Sequence, residues 1–325
     1  MQDLFERFKQ VKVLVIGDVM IDSYLWGKVD RISPEAPVPI VQVEKREKRL
    51  GGAANVALNV QALGATPVLC AVIGQDNDGE DFKQLLQQKQ LSSEGILQSS
   101  DRVTTIKHRI IAGHQHILRV DSEIDTPLAS ALTDALFAQI QTLGSSCQVI
   151  IFEDYDKGVI TPELIQKVVQ WANAAGIPTV VDPKKRNFME YEGVTLFKPN
   201  LKEWKEGLKI DADLSQMPML EQAVQLLMQK MGVAQVLATL SERGVLMKTA
   251  EGTWHIPAHI RTIADVSGAG DTVVSVAALC TALGCHPALT AALANLAGGL
   301  VCESVGVVSI DRDKLLEEAL RQQLT

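Results

Sequence analysis

The sequence predicts an α/β fold, a doubly wound and mostly parallel sheet flanked by helices, with a small β lid. Three observations point to it. Short, continuous, β-branched apolar runs recur along the 325 residues, helical patterns fill the intervals between them, and two stretches interrupt the alternation with strand-like rather than helical spacing. The first run, residues 11–16 (VKVLVI), is apolar on both faces and ends in Gly17-Asp18, which suits a buried parallel strand whose carboxyl end opens onto a site. Similar runs follow at 68–72, 149–152, 179–181, 196–198 and 236–240, and helical patterns at 53–63, 82–90, 128–143, 162–175 and 220–231. Residues 23–43, with Pro34, Pro37 and Pro39, and residues 104–120, two strand-like runs around Ala112-Gly113, are the expected lid segments, extending from a sheet edge. No repeat or low-complexity tract is present.

Hydrophobic residues make up 46% and charged residues 22%, enough to bury a large core. The expectation is one large α/β domain over 1–325 with the lid inserted in it. A formal net charge of -8 removes the general attraction that nucleic acid or an anionic membrane surface would need, while leaving room for a local cationic pocket. The charged start, MQDLFERFKQVK, has no apolar run of signal-peptide length, so the expected compartment is the cytosol. Residues 272–302 carry no Asp, Glu, Lys or Arg, but Gly284-Cys285-His286-Pro287 cuts the stretch into two pieces too short to span a bilayer. Buried core helices are expected there. The five cysteines show no C-x-x-C spacing and fit apolar surroundings as buried thiols.

The chemistry concentrates in Asp265-Val266-Ser267-Gly268-Ala269-Gly270-Asp271-Thr272, which runs straight into an apolar helix. Gly268 and Gly270 permit a tight turn, so that backbone N–H groups can converge at the helix start and form an anion hole. Asp271 in such a place suits a base beside a transferring phosphoryl group. Alone, the spacing also fits a glycine-rich turn in which Asp271 caps the helix. It is neither a Walker A loop nor a G-x-G-x-x-G turn, because Val273 stands at the third glycine. A second cluster, Gly51-Gly52-Ala53-Ala54-Asn55, also opens a helix. It suits either close helix packing or a ligand near the backbone, with Asn55 offering a donor and an acceptor to a hydroxyl.

Taken together, GDVMID at 17–22, LGGAANVALNVQALG at 50–64, KPNLKEW at 198–204 and DVSGAGD at 265–271 resemble the ribokinase-like (PfkB) family of carbohydrate kinases over nearly the whole chain. The resemblance implies the doubly wound fold with a β lid, ATP and Mg²⁺ as cofactors, and a small sugar substrate. It implies that Asp271 is the general base and that the Gly268, Ala269 and Gly270 amides hold charge on the γ-phosphoryl. Asn200 and Glu203 match the family's N-x-x-E pair, which organises the nucleotide phosphates and the water shell of Mg²⁺, so no direct metal ligand is expected. Asp22 matches the sugar-gripping acid, and Gly51, Gly52 and Asn55 the sugar-site loop.

A narrower likeness, carried by RISPEAPVPIVQV at 31–43, FEDYDKGV at 152–159 and VVDPKKRNFMEYEGVTLFKPN at 180–200, is to kinase domains acting on D-glycero-β-D-manno-heptose 7-phosphate at O1. No H-x-G-H nucleotidyltransferase element is present, so no adenylyl transfer is expected of this chain. A 7-phosphate requires cations far from Asp271, and Lys107, Arg109 and Arg119 are the candidates. Lys157 and Lys184, after strand ends, together with Ser241 and Gly244, are assigned to the nucleotide. His114 and His116 share a strand face, with no third ligand to make a metal site. A homodimer through the lid is expected, since an exposed strand edge seeks a partner. Competing expectations are another specificity of the same family (ribose, fructose or a nucleoside) and a catalytically silent sugar- or nucleotide-binding regulator.

Overall fold

The computed structural model describes residues 1–113, 115–208, 216–259 and 261–324. From the N-terminus run α1 (Gln2–Phe8), β1 (Lys12–Gly17), β2 (Val19–Ile32), β3 (Pro39–Gly52), α2 (Ala53–Ala62), β4 (Thr66–Gly74) and α3 (Asn77–Gln88). Next come β5 (Ile96–Ser99), β6 (Ile106–Ala112), β7 (Gln115–Ser122), α4 (Ser130–Gly144), β8 (Val149–Glu153), α5 (Pro162–Ala175), β9 (Thr179–Asp182) and β10 (Leu196–Phe197). The chain continues through α6 (Leu201–Leu208), α7 (Met217–Met231), β11 (Gln235–Thr239), β12 (Val245–Lys248), β13 (Thr253–Ile256), α8 (Ala269–Ala282), α9 (Pro287–Val301) and α10 (Arg312–Arg321).

The described residues form a nine-stranded sheet ordered β13-β12-β11-β10-β9-β8-β1-β4-β5 and a separate four-stranded sheet ordered β3-β2-β6-β7. The large sheet is parallel from β5 to β11 and ends in an antiparallel β11-β12-β13 meander. In β1, Val13 and Val15 enter the core under α2, α8 and α9, while Leu14 and Ile16 enter the core under α4, α5 and α7. Two buried faces explain why this run is apolar throughout rather than alternating. The helices punctuate as their sequences dictate. Thr161 caps α5 by accepting from the Leu164 amide at 3.1 Å, Pro162 occupies its first turn, and Gly176 closes it in the left-handed region.

The small sheet departs from expectation in its origin. It springs from the carboxyl end of β1, an interior strand, because β2 starts after the single residue Asp18. Its first two strands are also longer than the expected 23–43 segment, reaching back to Val19 and forward to Gly52. The uncharged 272–302 stretch forms the core helices α8 and α9, where Gly298 lets α9 sit on Val273. No helix among the described residues is long and apolar enough to cross a membrane. Four cysteines are buried and Cys285 is half-buried. His116 is exposed, and His114 lies outside the described residues.

Candidate active site

In the large sheet the chain steps from β1 to β4 and β5 on one side and then returns to β8, β9, β10 and β11 on the other. The order therefore reverses between β1 and β8, and a crevice opens at the carboxyl ends of those strands. Asp18, Glu153, Asp182 and Lys198 all stand there, at or just beyond the ends of β1, β8, β9 and β10, and all four are buried.

Asp271, two residues into α8, is brought over this crevice by the packing of α8 on α2. Both helices present small residues to each other, and Asn59 ties them by accepting from the Thr272 hydroxyl at 3.0 Å. Asn55, one turn earlier on α2, donates to Asp271 Oδ2 at 2.6 Å, and the Tyr155 hydroxyl donates to Oδ1 at 2.9 Å. Burial pushes the Asp271 carboxyl up to about 6, with Asp182 adding to the effect and the two hydrogen bonds and Lys184 opposing it. An acid poised near neutrality and held on both oxygens is suited to taking a proton from an alcohol.

Gly268 caps α8 with φ +81, and a Cβ there would press on Asn55 Nδ2 at 3.1 Å. Glycine is required both by the left-handed backbone and by this approach. Gly268, Ala269 and Gly270 remain partly open to solvent, but the Ala269 amide donates to the Val266 carbonyl at 3.3 Å. The anion hole therefore has one fewer unengaged amide than expected.

Opposite Asp271 lies a compact charge cluster. Lys198 pairs with Asp182 at 2.9 Å, and Lys184 pairs with Glu203 at 2.5 Å and with Asp182 at 3.6 Å. Burial works against both ammonium groups, but the surrounding carboxylates outweigh it and raise both. Oxygens of Glu153, Asp182 and Asp271 lie within 4.8 Å of one another. Burial, with Asp182 and Asp271 nearby, raises the Glu153 carboxyl well above its ordinary value, and neither of its oxygens has a hydrogen-bond partner. Asn200 and Glu203 form a capping box at the start of α6. The Asn200 side chain accepts from the Glu203 amide at 2.9 Å, and the Glu203 side chain accepts from the Asn200 amide at 2.9 Å. The N-x-x-E spacing thus has a local structural use that leaves Glu203 Oε1 for Lys184.

The sugar-side residues gather where the small sheet meets α2. Gly51 lies against Asp22 so closely that a Cβ would fall on the carboxylate, and Gly52, at φ +60, turns β3 into α2. Asp22 is paired with Arg109 across β2 and β6. Lys107 bonds Asp121 at 3.0 Å and Glu123 at 2.7 Å, while Arg119 is largely exposed beside Asp121. Lys157 departs from its expected place: it bonds Glu123 at 2.7 Å and so joins the lid cations rather than Lys184. Its backbone, with those of Tyr155 and Val159, instead donates to buried Asp18 at 2.8–3.1 Å, which shapes the loop carrying Tyr155. Ser241 is exposed and Gly244 forms the tight turn into β12 at φ +87.

Tyr155, Glu153, Asp182 and Lys198 were not singled out from the sequence, although each stands at or beside the end of an apolar run, the signal that identified Asp18.

The pfkB family carbohydrate kinase profile matches residues 10–314. Bifunctional protein HldE of Citrifermentans bemidjiense is 37% identical over 98% of this chain and 65% of its own length. The HldE of Caulobacter vibrioides is 42% identical over 90% of this chain and 60% of its own. The chain thus spans under two thirds of the length of these relatives. Among solved structures, phosphofructokinase-2 from Escherichia coli, in complex with potassium, superposes with a TM-score of 0.80 over 96% of this chain and 99% of its own at 17% identity. Arabidopsis thaliana ribokinase, complexed with ribose and ATP, superposes with a TM-score of 0.73 over 94% and 97% at 16% identity. A family profile covering residues 10–314, on a fold with this lid and this strand-end crevice, establishes that the chain belongs to the pfkB family of carbohydrate kinases.

Proposed function

We propose that this chain is an ATP- and Mg²⁺-dependent kinase of the cytosol that transfers the γ-phosphoryl of ATP in line to O1 of D-glycero-β-D-manno-heptose 7-phosphate, giving the 1,7-bisphosphate and ADP. The observation that carries the chemistry is the Asp271 carboxylate, held by Asn55 and Tyr155 at the amino end of α8 and facing Lys184 and Lys198. Asp271 accepts the proton of the sugar hydroxyl as the new O–P bond forms, and the free amides at the start of α8 hold the charge on the moving phosphoryl. In this reading Lys184, which pairs with Glu203 and Asp182, serves the nucleotide phosphates. The sugar specificity rests on the likeness to the HldE proteins and on the lid cations, and it concerns the kinase step alone.

The residues present fit Mg²⁺, which takes hard oxygen ligands: three carboxylates converge, and Glu153 keeps two buried oxygens without partners. Glu203 would act through water, as expected, and Asp182 with Glu153, which were not expected to be direct ligands, would hold the ion, which when bound would neutralise phosphate oxygens. We also propose a homodimer through the small sheet. Leu118 and Val120, which alternate with Arg119 and Asp121 and so face away from them, are 54% and 48% exposed on edge strand β7.

A panel of sugars assayed for ATP consumption tests the specificity. The heptose 7-phosphate should have the highest kcat/KM. A preference for ribose, fructose, a nucleoside or any sugar lacking a terminal phosphate would reject it, and the absence of turnover with every sugar would favour a silent binder.

A further inference from the structure

Resting on the phosphosugar reading above, we propose that Arg49 is a specificity-determining residue that, with Arg109, binds the distal phosphate of the sugar in a subsite built on Tyr24.

Strand alternation places Asp22, Tyr24 and Trp26 of β2 on one face of the small sheet, with Arg49 and Glu47 of β3 and Lys107 and Arg109 of β6 directly beside them. Tyr24 is buried, and its ring serves as a platform. The Arg49 guanidinium carbon lies 4.9 Å from the ring centre and that of Arg109, from the opposite neighbouring strand, 5.4 Å away. Two guanidinium groups thus lie against one ring, and each carries forked N–H groups of the kind a phosphate dianion accepts from.

Arg49 is fixed at the joint between lid and body. It donates to the Val307 carbonyl at 3.0 Å, while the Val307 amide donates to the Tyr24 hydroxyl at 3.5 Å. A Cβ on Gly306, at φ +74, would press on Arg49 at 2.9 Å and on the Tyr24 hydroxyl at 3.2 Å, so glycine is what lets the loop approach. The Gly306 amide donates in turn to Asp265, at the head of the loop that carries Gly268.

A sugar whose reacting hydroxyl meets Asp271 would reach this ring past Asn55 and Asp22. Contacts lead from Asp271 to Asn55, along the turn at Gly51-Gly52 to Asp22, and from Asp22 to Arg109. The partners are also releasable. Glu47, which accepts from Arg49 at 2.6 Å, has Lys45 at 2.8 Å as a second cation, so Arg49 can turn to a ligand without leaving a carboxylate unpaired. Lys107, by contrast, is held by two carboxylates, Asp121 at 3.0 Å and Glu123 at 2.7 Å.

The test is Arg49→Gln, which keeps a donor for Val307 and removes the charge. Steady-state kinetics would use the heptose 7-phosphate and the same heptose without its phosphate, and inorganic phosphate would be titrated as an inhibitor competing with sugar. The proposal expects kcat/KM for the phosphosugar to fall about 30- to 100-fold, as for losing a charge-assisted contact to phosphate, with KM for ATP unchanged and the phosphate-free sugar affected less than about threefold. The inhibition constant of inorganic phosphate should rise about tenfold or more. Equal losses for the two sugars, or an unchanged phosphate inhibition constant, would overturn it. If the wild-type protein prefers a phosphate-free sugar yet Arg49→Gln relieves inhibition by phosphate, the subsite stands and the heptose reading falls. If the phosphosugar is preferred and Arg49→Gln leaves that preference intact, the subsite falls alone. Arg49→Lys, which retains the charge but loses the guanidinium fork, gives a second reading should Arg49→Gln not fold, and a smaller loss confined to the phosphosugar is expected.

Discussion

Replacing Asp271 by Asn separates catalysis from stability, because the structure assigns this carboxylate opposite effects on the two. Its folded-state value of about 6 lies above the ordinary 3.8, chiefly because the group is buried. An acid shifted this way favours folding when protonated. The advantage is complete below about 3.8 and is lost as the pH rises through about 6, so at neutral pH the ionised form withholds about 3 kcal/mol from the fold. Asn is nearly isosteric. Its amide oxygen can accept from Asn55, and its amide nitrogen can donate to the Tyr155 hydroxyl, which rotates to accept. The Asn variant should therefore be more stable than the wild type by roughly 1–3 kcal/mol at pH 8, with the difference shrinking below pH 6 and vanishing near pH 4. Urea unfolding of the protein without nucleotide or metal, in chelator, measures this across the pH range. Turnover of the same variant should fall by ~10²–10⁴, the range for losing a general base. Near-normal turnover, or a variant destabilised equally at every pH, would refute the assignment of a buried, ionisable base at this position.

Gly51→Ala would place a methyl group on the Asp22 carboxylate, so KM for the sugar should rise about tenfold or more with KM for ATP unchanged, read by steady-state kinetics. Lys198→Met removes the nearer of the two ammonium partners of Asp182 and should cost about 1–3 kcal/mol in urea unfolding at pH 7, since the buried carboxylate is left with Lys184 alone, at 3.6 Å. Val120→Lys adds charge to the exposed apolar face of β7. Light scattering should show a dimeric mass for the wild type and a monomeric one for the variant at micromolar concentration, and equal masses would refute the proposed dimer through this face.

Much of the fold is legible in local pattern because burial on two faces and burial on one face write different periodicities. The run at 11–16 announces a central parallel strand, and the uncharged 272–302 stretch, cut at Gly284, announces two core helices. The lid is less so. Its first strands reach beyond the expected 23–43 segment, back to Val19, with only Asp18 between it and β1, and forward to Gly52, where Gly51 and Gly52 look like the entry to α2 although they are strand.

The residues to which the proposed phosphoryl transfer is assigned, and their order along the chain, are visible in the linear sequence as the glycine-flanked Asp271, the N-x-x-E pair and the Gly51-Gly52 turn. Which partners they acquire is a matter of folding. Sheet order gathers Glu153, Asp182 and Lys198, the packing of α8 on α2 sets Asp271 beside them, Tyr155 reaches from residue 155 to the carboxylate at 271, and Lys157 turns away to Glu123. These contacts join residues tens to more than a hundred positions apart, and no local periodicity encodes a hydrogen bond across that separation. Only the crossing of strands and helices sets such distances, and with them the burial that tunes the acid.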